Sequence, residues 1–321
     1  MAEEPSGMAP SPPPQMTAMR VHQFGGPEMI IAEAVPAPRP DHGEILVRVH
    51  ACGVGPWDGW IRAGKSVLPQ PLPLTLGSDV SGEVVAIGSG VSDFTVGTSV
   101  YGVTNKRFTD GYAEYAICLG TMMARKPAAL SDIEAASVPV IAVMAWQMLF
   151  DHARLVEAQS VLVQGAAGNV GRFAVQLGVQ AGLRVTAVAS DADADAIRAL
   201  GANVIVGRDL ATDDRFDAVM DLVGGPKQND LFRLVRRGGS LISAVAEPDQ
   251  DHAREAGVRG AFMLVNVRTE TLNELARRFD EGRLRVFVGT VLPLSDAIMA
   301  HHMLDGVVPH APGKIILRVS E

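Results

Sequence analysis

The segment that most narrows the possible folds is Gly165-Ala166-Ala167-Gly168-Asn169-Val170-Gly171. It follows Val161-Leu162-Val163-Gln164, a short apolar run of the kind that forms a buried strand. Beyond it, small or apolar residues stand at Val170, Phe173, Ala174, Leu177, Gly178 and Ala181, the spacing of one helix face. A strand, a glycine-rich turn and a helix in that order aim backbone N–H groups and the positive end of a helix dipole at one spot. A pyrophosphate suits that spot. Gly168 would let phosphates approach the backbone, and Gly171 would let helix and strand pack closely. The motif is weak alone, because glycine-rich turns are common; the apolar run Arg184–Ala189 supplies the βαβ context.

The alternation continues with apolar runs at 204–206, 218–222 and 241–245, separated by helical segments. Residues 127–267 are therefore expected to form a βαβ domain built on a doubly wound parallel sheet. Residues 19–126 read differently, as short β runs at 44–49, 82–87 and 96–103 punctuated by Gly and Pro. They predict an antiparallel, partly barrel-like β domain. The same texture returns at 283–294 and 313–319 around a helix expected at 296–304, so 268–321 should complete that first domain. Two domains suit 321 residues, given a typical domain of about 150. The first eighteen residues, with Pro5, Pro10, Pro12, Pro13 and Pro14, lack large apolar side chains and read as a disordered tail. The fold should begin at Met19.

Charge and cysteine content exclude several functions. Lys and Arg number 28 against 36 Asp and Glu, a net charge of −8 with no basic block. That argues against a nucleic-acid or anionic-membrane partner. No apolar stretch of about 18 residues occurs, so no membrane helix is expected. Glu3, Glu4 and the prolines do not make a signal peptide. The 2 cysteines, Cys52 and Cys118, form neither a disulfide framework nor a four-thiolate zinc site, and a reducing, cytoplasmic setting is expected.

For the nucleotide, the second strand ends Ala189-Ser190-Asp191. Ala189 and Ser190 leave room for a 2′-phosphate, and NADP(H) is expected over NAD(H). Asp191 would repel that phosphate if it faced the site, and is read instead as a cap of the next helix. Arg208 is either a phosphate partner or an ordinary surface arginine.

Further motifs carry a resemblance over residues 19–319. They are Cys52-Gly53-Val54-Gly55-Pro56-Trp57-Asp58, Gly77-Ser78-Asp79-Val80-Ser81-Gly82-Glu83-Val84, Gly111-Tyr112-Ala113-Glu114-Tyr115, the glycine turn, Asp221-Leu222-Val223-Gly224-Gly225 and Gly313-Lys314-Ile315. Together they resemble the zinc-independent medium-chain dehydrogenase/reductase superfamily, in its quinone oxidoreductase (zeta-crystallin-like) branch. The resemblance implies a GroES-like β-barrel domain, a Rossmann domain with an active cleft between the two, hydride transfer from NAD(P)H, and a homodimer. Expected cofactor contacts are Gly165, Ala166, Ala167, Gly168, Asn169, Val170, Ser190, Arg208, Val223, Val245, Phe262 and Leu264.

Zinc-containing relatives place a cysteine ligand at the position of Gly55 and a histidine at Ser78, so no metal is expected. Cys52 is read as a buried apolar residue. The adjacent pair His301-His302 is read as ordinary helix surface, since neighbours on a helix point to different faces. Gly55, Trp60 and Met144 depart from the Asn, Tyr and Thr usual in the branch. The acceptor site is expected to be apolar, lined by Trp57, Trp60, Met144 and Phe262, and to take a small aromatic, quinone or enone substrate. The catalytic residue is unassigned, with Trp60 and Asp58 as candidates; Asp58 could relay a proton but reads better as an N-cap or structural hydrogen-bonding group. Three functions follow: an NADPH-dependent quinone or enone reductase, an enoyl reductase acting on a polyketide or 2-enoyl thioester, and an NADPH-binding sensor without turnover.

Overall fold

The computed structural model describes residues 13–207, 212 and 214–320. By packing, the chain divides into two compact units: one ends at Val140 and resumes at Val267, the other is Ile141–Asn266.

The first unit is mainly antiparallel β. Strand β1 (Gln15–Val21) lies between β2 (Ile31–Pro36) and β4 (Leu74–Thr75) in a three-stranded sheet. A seven-stranded sheet is built from β3 (Glu44–Val54), β5 (Asp79–Ile87), β6 (Ser99–Val103), β7 (Tyr115–Leu119), β8 (Met123–Arg125), β15 (Val288–Pro293) and β16 (Lys314–Arg318). The chain end thus returns to this sheet, with β16 antiparallel to β3. Residues Val47, Val49, Val80, Val84, Val100, Ile315 and Leu317 pack its core. Helix α1 (Pro56–Arg62) follows β3 directly, with Pro56 opening it, where the missing N–H costs nothing. Helices α2 (Asp132–Ala135), α7 (Thr269–Asp280) and α8 (Ala297–Leu304) also belong to this unit.

Two expectations change here. The strand β1 begins at Gln15, so the tail expected over 1–18 fails from that residue on. Gln15–Arg20 pairs in register with residues of β2, and Ala18 is fully buried. The proline cluster ends at Pro14, and Gln15–Val21 contains no proline, so each of its residues has a backbone N–H to offer a ladder. The first unit also extends past residue 126 to Val140. Helix α2 packs on β3 and β5, Ser81 donates to the Asp132 carboxylate (2.6 Å), and the Asp79 carboxylate accepts from the Val140 N–H (3.2 Å).

The second unit is the parallel sheet. Strands β9 (Ser160–Gln164), β10 (Arg184–Ala189), β11 (Asn203–Val206), β12 (Phe216–Asp221), β13 (Val235–Ser243) and β14 (Arg259–Phe262) take the order β11-β10-β9-β12-β13-β14. Every pairing is parallel. The strand order reverses between β9 and β12, the switch point at which such sheets bind ligands. Helices α3 (Pro139–Trp146), α4 (Asn169–Gln180), α5 (Asp191–Arg198) and α6 (Gln250–Ala256) complete the helical elements. No helix among the described residues is long and apolar enough to cross a membrane.

Candidate active site

The glycine turn joins β9 to α4, and its glycines do different work. Gly165 has φ +82°, a conformation that favours glycine. A Cβ on Gly171 would lie 2.3 Å from the Gly165 carbonyl oxygen and 2.6 Å from the Ala166 Cα, so helix and turn touch there. A Cβ on Gly168 would meet only the Gly165 oxygen, at 3.3 Å, which leaves a cradle open above it. Gly168 is the N-cap of α4 and provides no side-chain cap, so the N–H groups of the first turn keep their donor capacity. Arg172 Nε donates to the Ala167 carbonyl (2.8 Å) and fixes the turn. Val223, Val245 and Leu264 are 58%, 40% and 55% exposed at or beyond the C-terminal ends of the strands, an apolar rim that a nucleotide would cover. These residues fit a dinucleotide.

The turn after β12 is shaped by a residue that the sequence singles out only through the family motif. Asp221 is fully buried, and one carboxylate oxygen accepts from the N–H groups of Val223 (3.1 Å) and Gly224 (2.8 Å). The other accepts from Gln228 Nε2 (2.8 Å) and Ser243 Oγ (3.1 Å). No pattern in the sequence marks Gln228 or Ser243. Asp221→Asn should cost about 1–2 kcal/mol, because an amide group would face the Gln228 or backbone donors. The denaturant midpoint measures that loss, and weakened nucleotide binding should accompany it.

Ser190 caps α5: its Oγ accepts from the Asp193 N–H (3.3 Å) and pairs with the Asp193 carboxylate (2.6 Å). The cap expected of Asp191 is thus held by its neighbour, and Asp191 stands in the first turn. Extended backbone at Ser190 (φ −69°, ψ 161°) gives that hydroxyl the reach to the N–H three residues on. Arg208 lies outside the described residues. Met144, on α3, and Phe262, which ends β14, are both half-buried in the second unit. Beyond Met144 the helix continues as a π-helical turn, Gln147–His152. There Gln147 clamps Asn266, donating to its carbonyl (2.7 Å) and accepting from its N–H (3.0 Å). Nothing in the sequence signals that clamp.

On the first unit, α1 carries Trp57, Asp58 and Trp60. Trp60 is 49% exposed and lines an open groove with Pro56, Arg62, Lys65 and Asp305. Trp57 turns inward. Its indole N–H donates to Ser78 Oγ (3.1 Å), and Lys314 Nζ sits 4.3 Å from the ring centroid. Lys314 in turn pairs with Asp79 (3.1 Å), and both are essentially inaccessible to water.

Asp58 is buried, accepts from the Gly55 N–H (2.8 Å) and receives the Tyr112 hydroxyl at 3.4 Å. Among the described residues, its Oδ1 has no hydrogen-bond partner. Burial pushes its carboxyl up to about 7, against the pull of the Gly55 N–H and the Lys314 charge. The Tyr112 ring meets His301 edge-on, with centroids 5.9 Å apart. His301 is fully buried, which corrects its reading as helix surface. The different-faces argument is sound for the pair, but one of those faces is the core, where Ala297 and Ala300 also lie. His301 Nδ1 accepts from Arg62 (2.8 Å), and Arg62 also pairs with Asp305 (2.7 Å). Burial, then the Arg62 charge, push His301 down to about 3. Cys52 is fully buried, and burial raises its thiol well above the ordinary range.

The positions at which relatives hold zinc do not suit a metal here. Gly55 has no donor side chain, and a Cβ placed on it would fall 2.4 Å from two carbons of the Trp57 ring. Ser78 is occupied as the acceptor of the indole N–H. Among the described residues, no cluster of three His, Cys, Asp or Glu could hold a metal ion.

Comparison with known proteins agrees with this architecture. A family profile described as alcohol dehydrogenase GroES-like domain matches residues 41–157, and one described as zinc-binding dehydrogenase matches 187–317. A quinone oxidoreductase of Pongo abelii is 30% identical, over 94% of this chain and 97% of that protein. The solved structure of the quinone oxidoreductase from Coxiella burnetii superposes with a TM-score of 0.86 at 30% identity, covering 95% of this chain and 99% of that one. A segment amounting to 5% of the polyketide synthase GfsB of Streptomyces halstedii is 33% identical to 79% of this chain.

Proposed function

Because the chain belongs to the quinone oxidoreductase branch of the medium-chain dehydrogenase/reductase superfamily, it is an NAD(P)H-dependent oxidoreductase, and we propose that it reduces a quinone or conjugated enone with NADPH and without a metal. The observation that carries this reading is the state of the two ligand positions: Gly55 offers no donor, and Ser78 is bonded to Trp57. An alcohol substrate needs a Lewis acid to stabilise its alkoxide. A quinone or enone does not, because the charge left by hydride addition is delocalised onto oxygen, where water supplies the proton. Bound NADPH would supply hydride, a proton with its electron pair, to a ring carbon or β-carbon of the acceptor. The protein's part is then to hold the pyrophosphate at the Gly168 cradle and to give the acceptor a dry, oriented surface.

The preference for NADPH rests on Ala189, which ends β10, and Ser190, which follows it, neither of them an acid. Titration with both nucleotides tests it: NADPH should bind tighter, and equal or tighter NADH binding overturns the preference. The same reading includes a homodimer in a reducing, cytoplasmic setting, with both thiols free.

Nucleotide oxidation with small quinones, enones and 2-enoyl thioesters tests the acceptor class. Turnover of quinones and enones is expected. Activity confined to thioesters would instead favour an enoyl reductase, the reading supported by the matching segment of a polyketide synthase. Tight NADPH binding with no turnover on any acceptor would favour a sensor.

A further inference from the structure

We propose that Trp57 is a specificity-determining residue of this chain, its indole filling the pocket that a side chain at position 55 would enter and shaping the adjoining acceptor surface for flat, conjugated rings of limited size. This rests on the reductase reading above. The argument starts from Gly55. Its backbone is extended (φ −132°, ψ 165°), a conformation open to any residue. Glycine is therefore not required there by the chain. It is required by the indole, whose Cη2 and Cζ2 lie 2.4 Å and whose Cζ3 lies 2.6 Å from where a Cβ would stand. Gly55 and Trp57 are one device.

Two further contacts fix the ring in that seat. The indole N–H donates to Ser78 Oγ (3.1 Å), a hydroxyl with no exposure to solvent. The Lys314 ammonium lies 4.3 Å from the ring centroid and is itself pinned by Asp79 (3.1 Å). A cation held over an aromatic face away from water gives a strong attraction. Trp57 is thus anchored at its N–H, at a ring face and along its benzo edge, while remaining half-buried rather than sealed. An anchored aromatic wall costs little entropy on binding and favours a planar partner over a branched, tetrahedral alcohol.

The test uses Gly55→Ala, Trp57→Ala, Trp57→Phe and the Gly55→Ala/Trp57→Ala double variant in the full chain. A methyl at position 55 must expel the indole, so Gly55→Ala should reproduce Trp57→Ala. Both should raise the ratio of kcat/KM for 9,10-phenanthrenequinone over 1,4-benzoquinone by about tenfold or more, since the acceptor surface is no longer walled by an indole fixed in that seat. The double variant should go no further than either single one. Trp57→Phe keeps a ring and should shift the ratio less. Tryptophan emission is the second readout: Gly55→Ala should shift it to the red, a change absent once Trp57 is also replaced. An unmoved ratio with an unmoved emission in Gly55→Ala, or additive effects in the double variant, overturns the proposal. If the native chain turns over no acceptor, the reductase reading fails, and the emission arm still decides whether the indole occupies that seat.

Discussion

Gly168→Val should fold normally and lose NADPH binding by about a hundredfold or more, as read by nucleotide titration, because its side chain would stand where the pyrophosphate approaches. The separation of folding from binding comes from local geometry. Gly168 has φ −71° and ψ 168°, which valine adopts without strain. A Cβ there meets one atom, the Gly165 carbonyl oxygen at 3.3 Å, a contact relieved by a small shift. Stability should therefore change by less than about 1 kcal/mol. Gly171→Ala is the instructive contrast, since its Cβ would sit 2.3 Å from that same oxygen and force the turn itself to move. That variant should lose stability as well as binding. Undiminished NADPH affinity in folded Gly168→Val would refute the placement of the phosphates.

The difference between those two glycines also marks how far the sequence can be read. The order of strand, turn and helix at 161–181 is legible because burial on both faces makes parallel strands continuously apolar and leaves helices amphipathic. Where strands carry polar residues, that signal fades. Strand β13 starts at Val235, but Arg236, Arg237, Gly238 and Gly239 conceal its first half, and only the apolar run from Leu241 stands out. Strand β1 is hidden by the prolines just before it. At the site, Gly165, Gly168 and Gly171 are visible because their spacing has a backbone cause. The buried bonds of Asp221 to Gln228 and Ser243, and of Gln147 to Asn266, join residues by side chain across the fold. No local period encodes such contacts. Gly55 and Trp57 lie two residues apart, yet only coordinates reveal that the indole folds back over the glycine.

Asp58→Asn should stabilise the protein by about 4 kcal/mol near pH 8, an unusual gain from altering a buried residue, with 1.36 kcal/mol for each unit by which burial lifts the acid. The carboxyl titrates at about 7 in the folded chain against a reference of 3.8, so between those values the folded form holds a proton that the unfolded form has lost. Stability from this group therefore falls as pH rises through that window and stays low above it. His301 works in the opposite direction, titrating at about 3 against a reference of 6.5. Its folded form refuses a proton that the unfolded chain accepts, so stability falls as pH drops below 6.5. In the native chain the contributions of these two groups nearly cancel between about pH 4 and 6.5. The Asn variant removes only the first. Its advantage should be full above about pH 7, shrink on acidification and vanish near pH 4, leaving the His301 slope exposed. The Asn carbonyl can still accept from the Gly55 N–H and the Tyr112 hydroxyl, so α1 keeps its start. Denaturant unfolding across that pH range checks the profile. A variant no more stable than the native chain at pH 8 would mean that Asp58 ionises without cost, and that its carboxylate is better solvated than its burial implies.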